Sequence, residues 1–218
     1  MPCVAAADIA WVSIRRDPSG LVARVIFSER MSRSRPIDRP ATYADIEALP
    51  PHVVGEILDG ELVVAPRPRS THARAGSSLG TILGGPFDLG SGGPGGWIIL
   101  FEPELHLGQH VLVPDFAGWR RTRMPEMPDA AYFTLAPDWV CEILSPSSQR
   151  YDRGRKLDVY AAEGVEYVWL IDPDAQSLEA FVLREGLWAR LGAWAGEETP
   201  RAQPFDAIEL PMRYLWMR

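Results

Sequence analysis

The succession of elements in this chain predicts a mixed α/β fold of the α+β kind, a mixed β-sheet flanked by helices. Three observations lead there. A short helix, a hairpin and a longer helix open the ordered part of the chain. Short apolar runs bounded by Gly, Pro and Asp then recur, as strands do. Between them lies one strand–helix–strand unit, from Asp138 to Ile171. A hydrophobic content of 46% and a charged content of 23% suit a soluble globular protein, and 218 residues suffice to bury a sizeable core.

Residues 1–40 read as an appendage and linker. Ala10 to Ile14 and Leu21 to Phe27 could be short strands around the turn Asp17-Pro18-Ser19-Gly20, and Ser28 to Pro40 is rich in Arg, Ser and Pro. The domain proper spans 41–218. Thr42 opens a helix to Leu49, with Asp45 placed as a capping-box acid. Val53 to Leu58 and Glu61 to Val64 flank Asp59-Gly60, a two-residue hairpin signal, and Glu56 is an acid inside the first arm. Pro66 to Ser70 breaks the sheet, and a helix follows to about Leu83. Gly84 to Gly96 is glycine-rich but lacks the Gly-Lys-Ser/Thr ending of a phosphate cradle, so a flexible connection is expected. Trp97 to Phe101 is an apolar strand. Glu104 to Leu107 and Val111 to Trp119 form a further hairpin around Gly108, with Pro114 hinting at an edge or bulge.

Met124 to Ala136 reads as loop or short helix. Asp138 to Leu144 is a short apolar strand, and Ser147 or Ser148 caps a helix to Glu163. Leu157, Tyr160 and Ala161 form its apolar face, with Lys156 at the edge. Tyr167 to Ile171 is another apolar strand. Leu178 to Leu183 and Leu187 to Leu191 alternate as a meander, and Ile208 to Leu210 could be a last strand.

Several functions are disfavoured. No apolar run approaches the roughly 18 residues of a spanning helix, so no membrane partner is expected. The first residues lack a secretory pattern, and Cys3 and Cys141 make neither a disulfide framework nor a zinc pattern, which fits a reducing cytoplasm. A net charge of −7 means that any nucleic-acid contact must be local. Candidates for it are Arg120, Arg121 and Arg123 at one strand end and Arg150, Arg153 and Arg155 near the predicted helix start.

Chemistry is suggested by polar intruders on apolar strands. Alternation puts Glu142 between Val140 and Leu144, and Asp115 between Val113 and Ala117. A buried carboxylate must be paired, metal-bound or protonated. Lys156 has a second signal: of 22 Lys and Arg residues, 21 are Arg and one is Lys. Arginine does not replace a compact ammonium that must reach one oxygen atom. Two acids on a sheet can hold a hard divalent cation, which takes one or two carboxylates and activates water for phosphodiester hydrolysis, and a lysine nearby can orient that water or balance developing charge.

V-P-D at Val113–Asp115, P-D-W-V-C-E-I-L-S-P-S-S at Pro137–Ser148, D-x-x-x-K at Asp152–Lys156 and the Y-A-x-x-G-V-x-Y-V-W-L-I-D-P run of Tyr160–Pro173 together resemble the Uma family of restriction endonucleases. G-E-I-L-D-G-E-L-V at Gly55–Val63 and Ser70-Thr71-His72 also match. The resemblance spans about Tyr43 to Leu191 and implies a PD-(D/E)xK nuclease, with a restriction-endonuclease-like sheet and a Mg²⁺ or Mn²⁺ site. It makes Asp115 and Glu142 the metal-binding acids and Glu56 an additional catalytic acid. The superfamily's usual Glu-x-Lys is absent, since Leu144 stands two residues after Glu142. Lys156 takes the lysine's place. Glu102 and His72 stand behind these, His72 reading first as a helix-start histidine bonded to backbone.

The function implied is a Mg²⁺-dependent DNA endonuclease, with a homodimer left open. A catalytically inactive nucleic-acid-binding or scaffold protein on the same fold is the alternative. A two-carboxylate glycosidase is disfavoured by the lysine beside the acids.

Overall fold

The structure is a computed structural model of the chain and describes residues 12–17, 20–25, 39–51, 53–65, 68–146 and 148–217. The chain divides into two compact units, Met1–Arg67 and Pro68–Arg218.

In the first unit, β1 (Val12–Asp17) and β2 (Gly20–Val25) pair as an antiparallel hairpin. They overlap the two expected strands; Ala10, Trp11, Ile26 and Phe27 lie outside the described residues, as does most of the expected linker. Helix α1 (Tyr43–Glu47) starts where Asp45 accepts hydrogen bonds from both the Thr42 amide and its hydroxyl. Arg39 donates to the same carboxylate and, together with these bonds, holds it well below the usual carboxylate range. Strands β3 (Val54–Leu58) and β4 (Glu61–Ala65) pair around Asp59-Gly60, and Gly60 adopts φ +74°, which glycine supplies without strain.

The second unit is built on a six-stranded mixed sheet. Helix α2 (Ser70–Leu83) runs on into a π turn at Gly84–Asp88 that buries Phe87, so the glycine-rich stretch begins as helix and not as a loose connection. Then come β5 (Trp97–Phe101), the small hairpin β6 (Leu105–Leu107) and β7 (His110–Leu112), β8 (Phe116–Arg120) and β9 (Trp139–Ile143). Helices α3 (Gln149–Asp152) and α4 (Arg155–Ala162) lead to β10 (Tyr167–Asp172), β11 (Ser177–Arg184) and β12 (Leu187–Ala195). The strand order is β12-β11-β10-β9-β8-β5. Only β9 and β10 are parallel, as a crossover through α3 and α4 requires; their neighbours pair antiparallel.

Three expectations change. The arm expected from Val111 to Trp119 breaks at Val113–Asp115, because Pro114 cannot donate to a ladder; β7 and β8 are separate strands. The single helix expected to Glu163 is two, split at Arg153–Gly154. A Cβ on Gly154 would stand 3.0 Å from the Arg150 carbonyl oxygen, so glycine permits this tight junction. Ile208–Leu210 is not a strand; a 3₁₀ turn at Met212–Leu215 follows it.

The core lies between the sheet and α2. Strand alternation sends Trp139, Cys141 and Ile143 into it with Phe116, and α2 contributes Ala75, Leu79 and Leu83. Trp139 stands edge-on to Trp169 and Phe205, with centroids 5.4 and 4.8 Å away. Such pairs contribute about 1 kcal/mol each beyond their area. Gly118 makes room for this packing, since a Cβ there would meet Trp139 at 3.1 Å and Trp97 at 3.3 Å. The same alternation turns Glu142 to the opposite face, under α4.

Candidate active site

Strands β8 and β9 carry a matched pair of Pro-Asp steps. Pro114-Asp115 immediately precedes β8, and Pro137-Asp138 immediately precedes β9. The strands are antiparallel, so each aspartate lies at the far end of the other strand. Asp115 Oδ2 accepts the amide of Ile143, the last residue of β9, at 2.6 Å. Asp138 Oδ2 accepts the amide of Arg120, the last residue of β8, at 2.8 Å. Each carboxylate ends a ladder and keeps a second oxygen for other work.

At the Asp115 end that second oxygen meets His72 Nε2 at 3.0 Å, from the first turn of α2. His72 is thus bonded to a carboxylate, not to backbone as its position in the sequence suggested. Burial disfavours its charged form, but the bond to Asp115 and the carboxylates of Asp115, Glu102 and Asp152 outweigh burial and hold its pKa above the ordinary value. Glu102 adopts a left-handed backbone with φ +48°, which side-chain-bearing residues seldom do. Burial and the Asp115 charge raise its pKa, against the effect of His72.

Glu142 faces α4 on the neighbouring strand. The register pairs Phe116 with Cys141, so Asp115 and Glu142 are the next step at the same end of β8 and β9. The Cys141 thiol is pushed well up by burial and by both of these carboxylates. Tyr160 donates its hydroxyl to Glu142 Oε1 at 2.6 Å. Lys156 Nζ lies 3.3 Å from Glu142 Oε2 and 3.4 Å from Asp152 Oδ1. Lys156 is 5% exposed and lies within the buried face of α4, beside Val159 and Tyr160, not at its edge as the apolar pattern suggested. The long aliphatic stem packs inside while the charge finds acids there.

The structure therefore brings Asp115, Glu142 and Lys156 to one end of the sheet, with the ammonium on Glu142 and Asp152. It adds residues that sequence reasoning placed elsewhere or ranked lower. The sequence pattern puts Tyr160 on the apolar face and Asp152 in the D-x-x-x-K motif, and it suggests a backbone bond for His72. Asp152, Lys156 and Tyr160 recur at every fourth residue, the spacing of one helical face, and that was the available signal. A small cleft opens beside His72, lined also by Arg69, Thr71, Ser145, Pro146 and Asp174.

The arginines divide. Arg120 is at the opposite end of β8, bonded to Asp138 at 2.8 Å and Glu166 at 2.6 Å, its guanidinium over Trp97. Arg123 joins Asp138 at 3.2 Å, and Arg121 pairs with Asp88 at 3.1 Å. Arg150, Arg153 and Arg155 lie on and between α3 and α4, next to Lys156; Arg153 pairs with Glu179, and Arg155 lies over the Tyr151 ring. Glu56 belongs to the first unit, where it is buried on β3 opposite Val63.

His72 draws on Asp115, Glu102 and Asp152, and Lys156 on Glu142 and Asp152. Among the described residues no group of three or more His, Cys, Asp or Glu side chains is already drawn together to hold a metal ion. The donors are nonetheless of the right kind for Mg²⁺, since it takes one or two carboxylates and keeps its waters.

A family model, Uma2, described as "Putative restriction endonuclease", matches residues 40–213. A solved structure described as "a putative nuclease belonging to DUF820", from Anabaena variabilis, is similar at 22% identity. Its TM-score is 0.67, over 81% of this chain and 98% of that one. At that identity the likeness is one of fold, and it bears out the mixed sheet flanked by helices. No curated protein matches the sequence. Among the described residues no helix is long and apolar enough to cross a membrane.

Proposed function

The chain belongs to the Uma2 family of restriction-endonuclease-like proteins, and on that premise we propose that it is a Mg²⁺- or Mn²⁺-dependent endonuclease acting on DNA. Residues 41–218 carry the activity in this proposal. The observation that supports it most is the convergence of Asp115 and Glu142 at one end of adjacent strands, with the lone lysine of the chain against Glu142.

Asp115 and Glu142 are the residues that would hold the cation. A divalent ion held by them would supply polarisation of a phosphodiester and a more acidic water. Tyr160 fixes Glu142 through Oε1, so the carboxylate does not have to be ordered at the moment of reaction. The Ile143 amide and His72 do the same for Asp115. Lys156 would offer a compact positive charge to the negative charge that develops on a phosphodiester held there, and its burial would strengthen that effect. Arg150, Arg153 and Arg155, on and between α3 and α4, are the candidates for the local phosphate contacts that a chain of net charge −7 needs.

Plasmid DNA incubated with the protein tests the proposal. Nicking or linearisation is expected with Mg²⁺ or Mn²⁺, none with EDTA, and none with Glu142→Gln. Salt-sensitive DNA binding without cleavage under every divalent ion would instead identify a catalytically inactive binding protein.

A further inference from the structure

We propose that Asp152 is the positioning residue that keeps Lys156 in place once a divalent cation takes Glu142. The inference rests on the metal-dependent function proposed above.

Lys156 Nζ lies 3.3 Å from each carboxylate oxygen of Glu142 and 3.4 Å from Asp152 Oδ1. The three side chains are 6%, 3% and 4% exposed, so water does little to solvate any of these charges. In this arrangement the ammonium sits on the oxygens that a cation would claim. Two positive charges sharing one carboxylate repel each other, and in a buried site that repulsion is large. Cation binding at Glu142 therefore weakens the Lys156–Glu142 pair. A buried ammonium still requires a counter-charge.

Helix α4 does not provide it. Lys156 is the second residue of that helix, where the exposed amides and the helix dipole disfavour a cation. Asp152 does provide it. It closes α3, four residues before Lys156, and the carboxylate and the ammonium meet at 3.4 Å across the Arg153–Gly154 junction. Asp152 also acts electrostatically on His72. A metal-loaded site then has Glu142 serving the cation and Asp152 serving the lysine. The lysine stays within reach of the scissile phosphate and is not ejected to solvent.

Composition offers a clean probe, because Lys156 is the one lysine of the chain. Protein labelled with ¹⁵N-lysine gives a single side-chain ammonium resonance, visible when the group is buried and bonded. In the wild type it should shift on titration with Mg²⁺ and stay sharp. In Asp152→Asn it should broaden away as Mg²⁺ is added. Turnover on plasmid DNA should fall about tenfold or more with KM within about twofold, the scale for losing a group that orients a functional residue. Asp152→Glu should keep the resonance and recover most of the turnover.

A resonance that survives Mg²⁺ in folded Asp152→Asn overturns the role of Asp152 and leaves the metal-dependent function standing. A wild-type resonance indifferent to Mg²⁺ overturns both. A further measurement needs no variant. At saturating Mg²⁺ the scalar coupling across the hydrogen bond from Lys156 Nζ should run to the Asp152 carboxylate carbon and be lost to that of Glu142. Coupling that stays on Glu142 overturns the proposal.

Discussion

The two ends of the β8–β9 pair start from the same local device and reach opposite outcomes. At each end a Pro-Asp step puts a carboxylate on the last amide of the opposing strand. At the Asp138 end, Arg120 and Arg123 answer Asp138 and Glu166, and aromatic rings cover the guanidinium. Acids and cations there match one for one. At the Asp115 end, Asp115 meets His72, while Glu142 and Asp152 share the buried Lys156 ammonium. The ends lie roughly 16 Å apart along the strand. The difference teaches that charge by itself does not mark a site, because both ends are rich in it. What differs is the kind of partner: planar guanidiniums at one end, a compact buried ammonium and an imidazole at the other.

The largest expected effect comes from testing the two aspartates against each other. Asp115→Asn keeps an acceptor for the Ile143 amide, so it should melt near the wild type yet lose at least about a hundredfold in turnover. Asp138→Asn should behave the other way. It strands two guanidinium partners and should cost about 2 kcal/mol of stability, with turnover per folded molecule unchanged. Plasmid cleavage beside urea unfolding reads both. Equal losses of turnover in the two variants would erase the distinction between the ends.

Next is Lys156. Its apolar-edge position in sequence implies that it can be removed without harm to folding; its burial between Glu142 and Asp152 implies otherwise. Lys156→Ala leaves two buried acids without their cation and should destabilise the protein by about 3 kcal/mol in Mg²⁺-free buffer. Lys156→Arg should restore part of that stability but not cleavage, because the planar fork cannot occupy the place of a compact ammonium. Full cleavage by Lys156→Arg would show that charge alone suffices at this end as well.

A smaller effect is expected from Arg120→Ala, about 1 to 2 kcal/mol, since Arg123 still reaches Asp138. DNA affinity should not change, because Arg120 is occupied at the end of the strand away from the site. Loss of DNA affinity in this variant, measured by fluorescence anisotropy, would assign that end a part in binding.

The smallest effect concerns pH. The folded-state pKa of His72 is raised above the ordinary 6.5 by the carboxylates around it. Its protonated form is therefore favoured by folding, and the stabilisation is fully present below the ordinary value and lost as pH rises through the folded one. In Mg²⁺-free buffer, the melting-temperature gap between wild type and His72→Gln should be wider near pH 6 than near pH 9. A gap of constant width would mean that the imidazole stays neutral throughout.

Part of this was open to reading before any fold was known. Alternation along β9 puts Glu142 among apolar neighbours, and a carboxylate in that position signals a partner wherever the strand ends up. The solitary lysine among arginines is a fact of composition. The Asp59-Gly60 hairpin and the Asp45 cap depend on residues two or three apart, which is why both were found in place. Helix and strand order sufficed for the fold class.

The rest waited on distant residues. The two Pro-Asp steps look alike in sequence, and only the groups that arrive at the second oxygen separate them: His72 from α2 for Asp115, Arg120 and Arg123 for Asp138. No periodicity connects such partners, because they meet through sheet register and helix packing and not through local geometry. The arginine triplet at 120–123 is indistinguishable in sequence from a phosphate-facing patch until Asp88, Asp138 and Glu166 are seen to occupy it. Lys156 was placed at an edge because helical periodicity ranks side chains by hydrophobicity. Burial of a charge is instead decided by what lies opposite, and here Glu142 and Asp152 do.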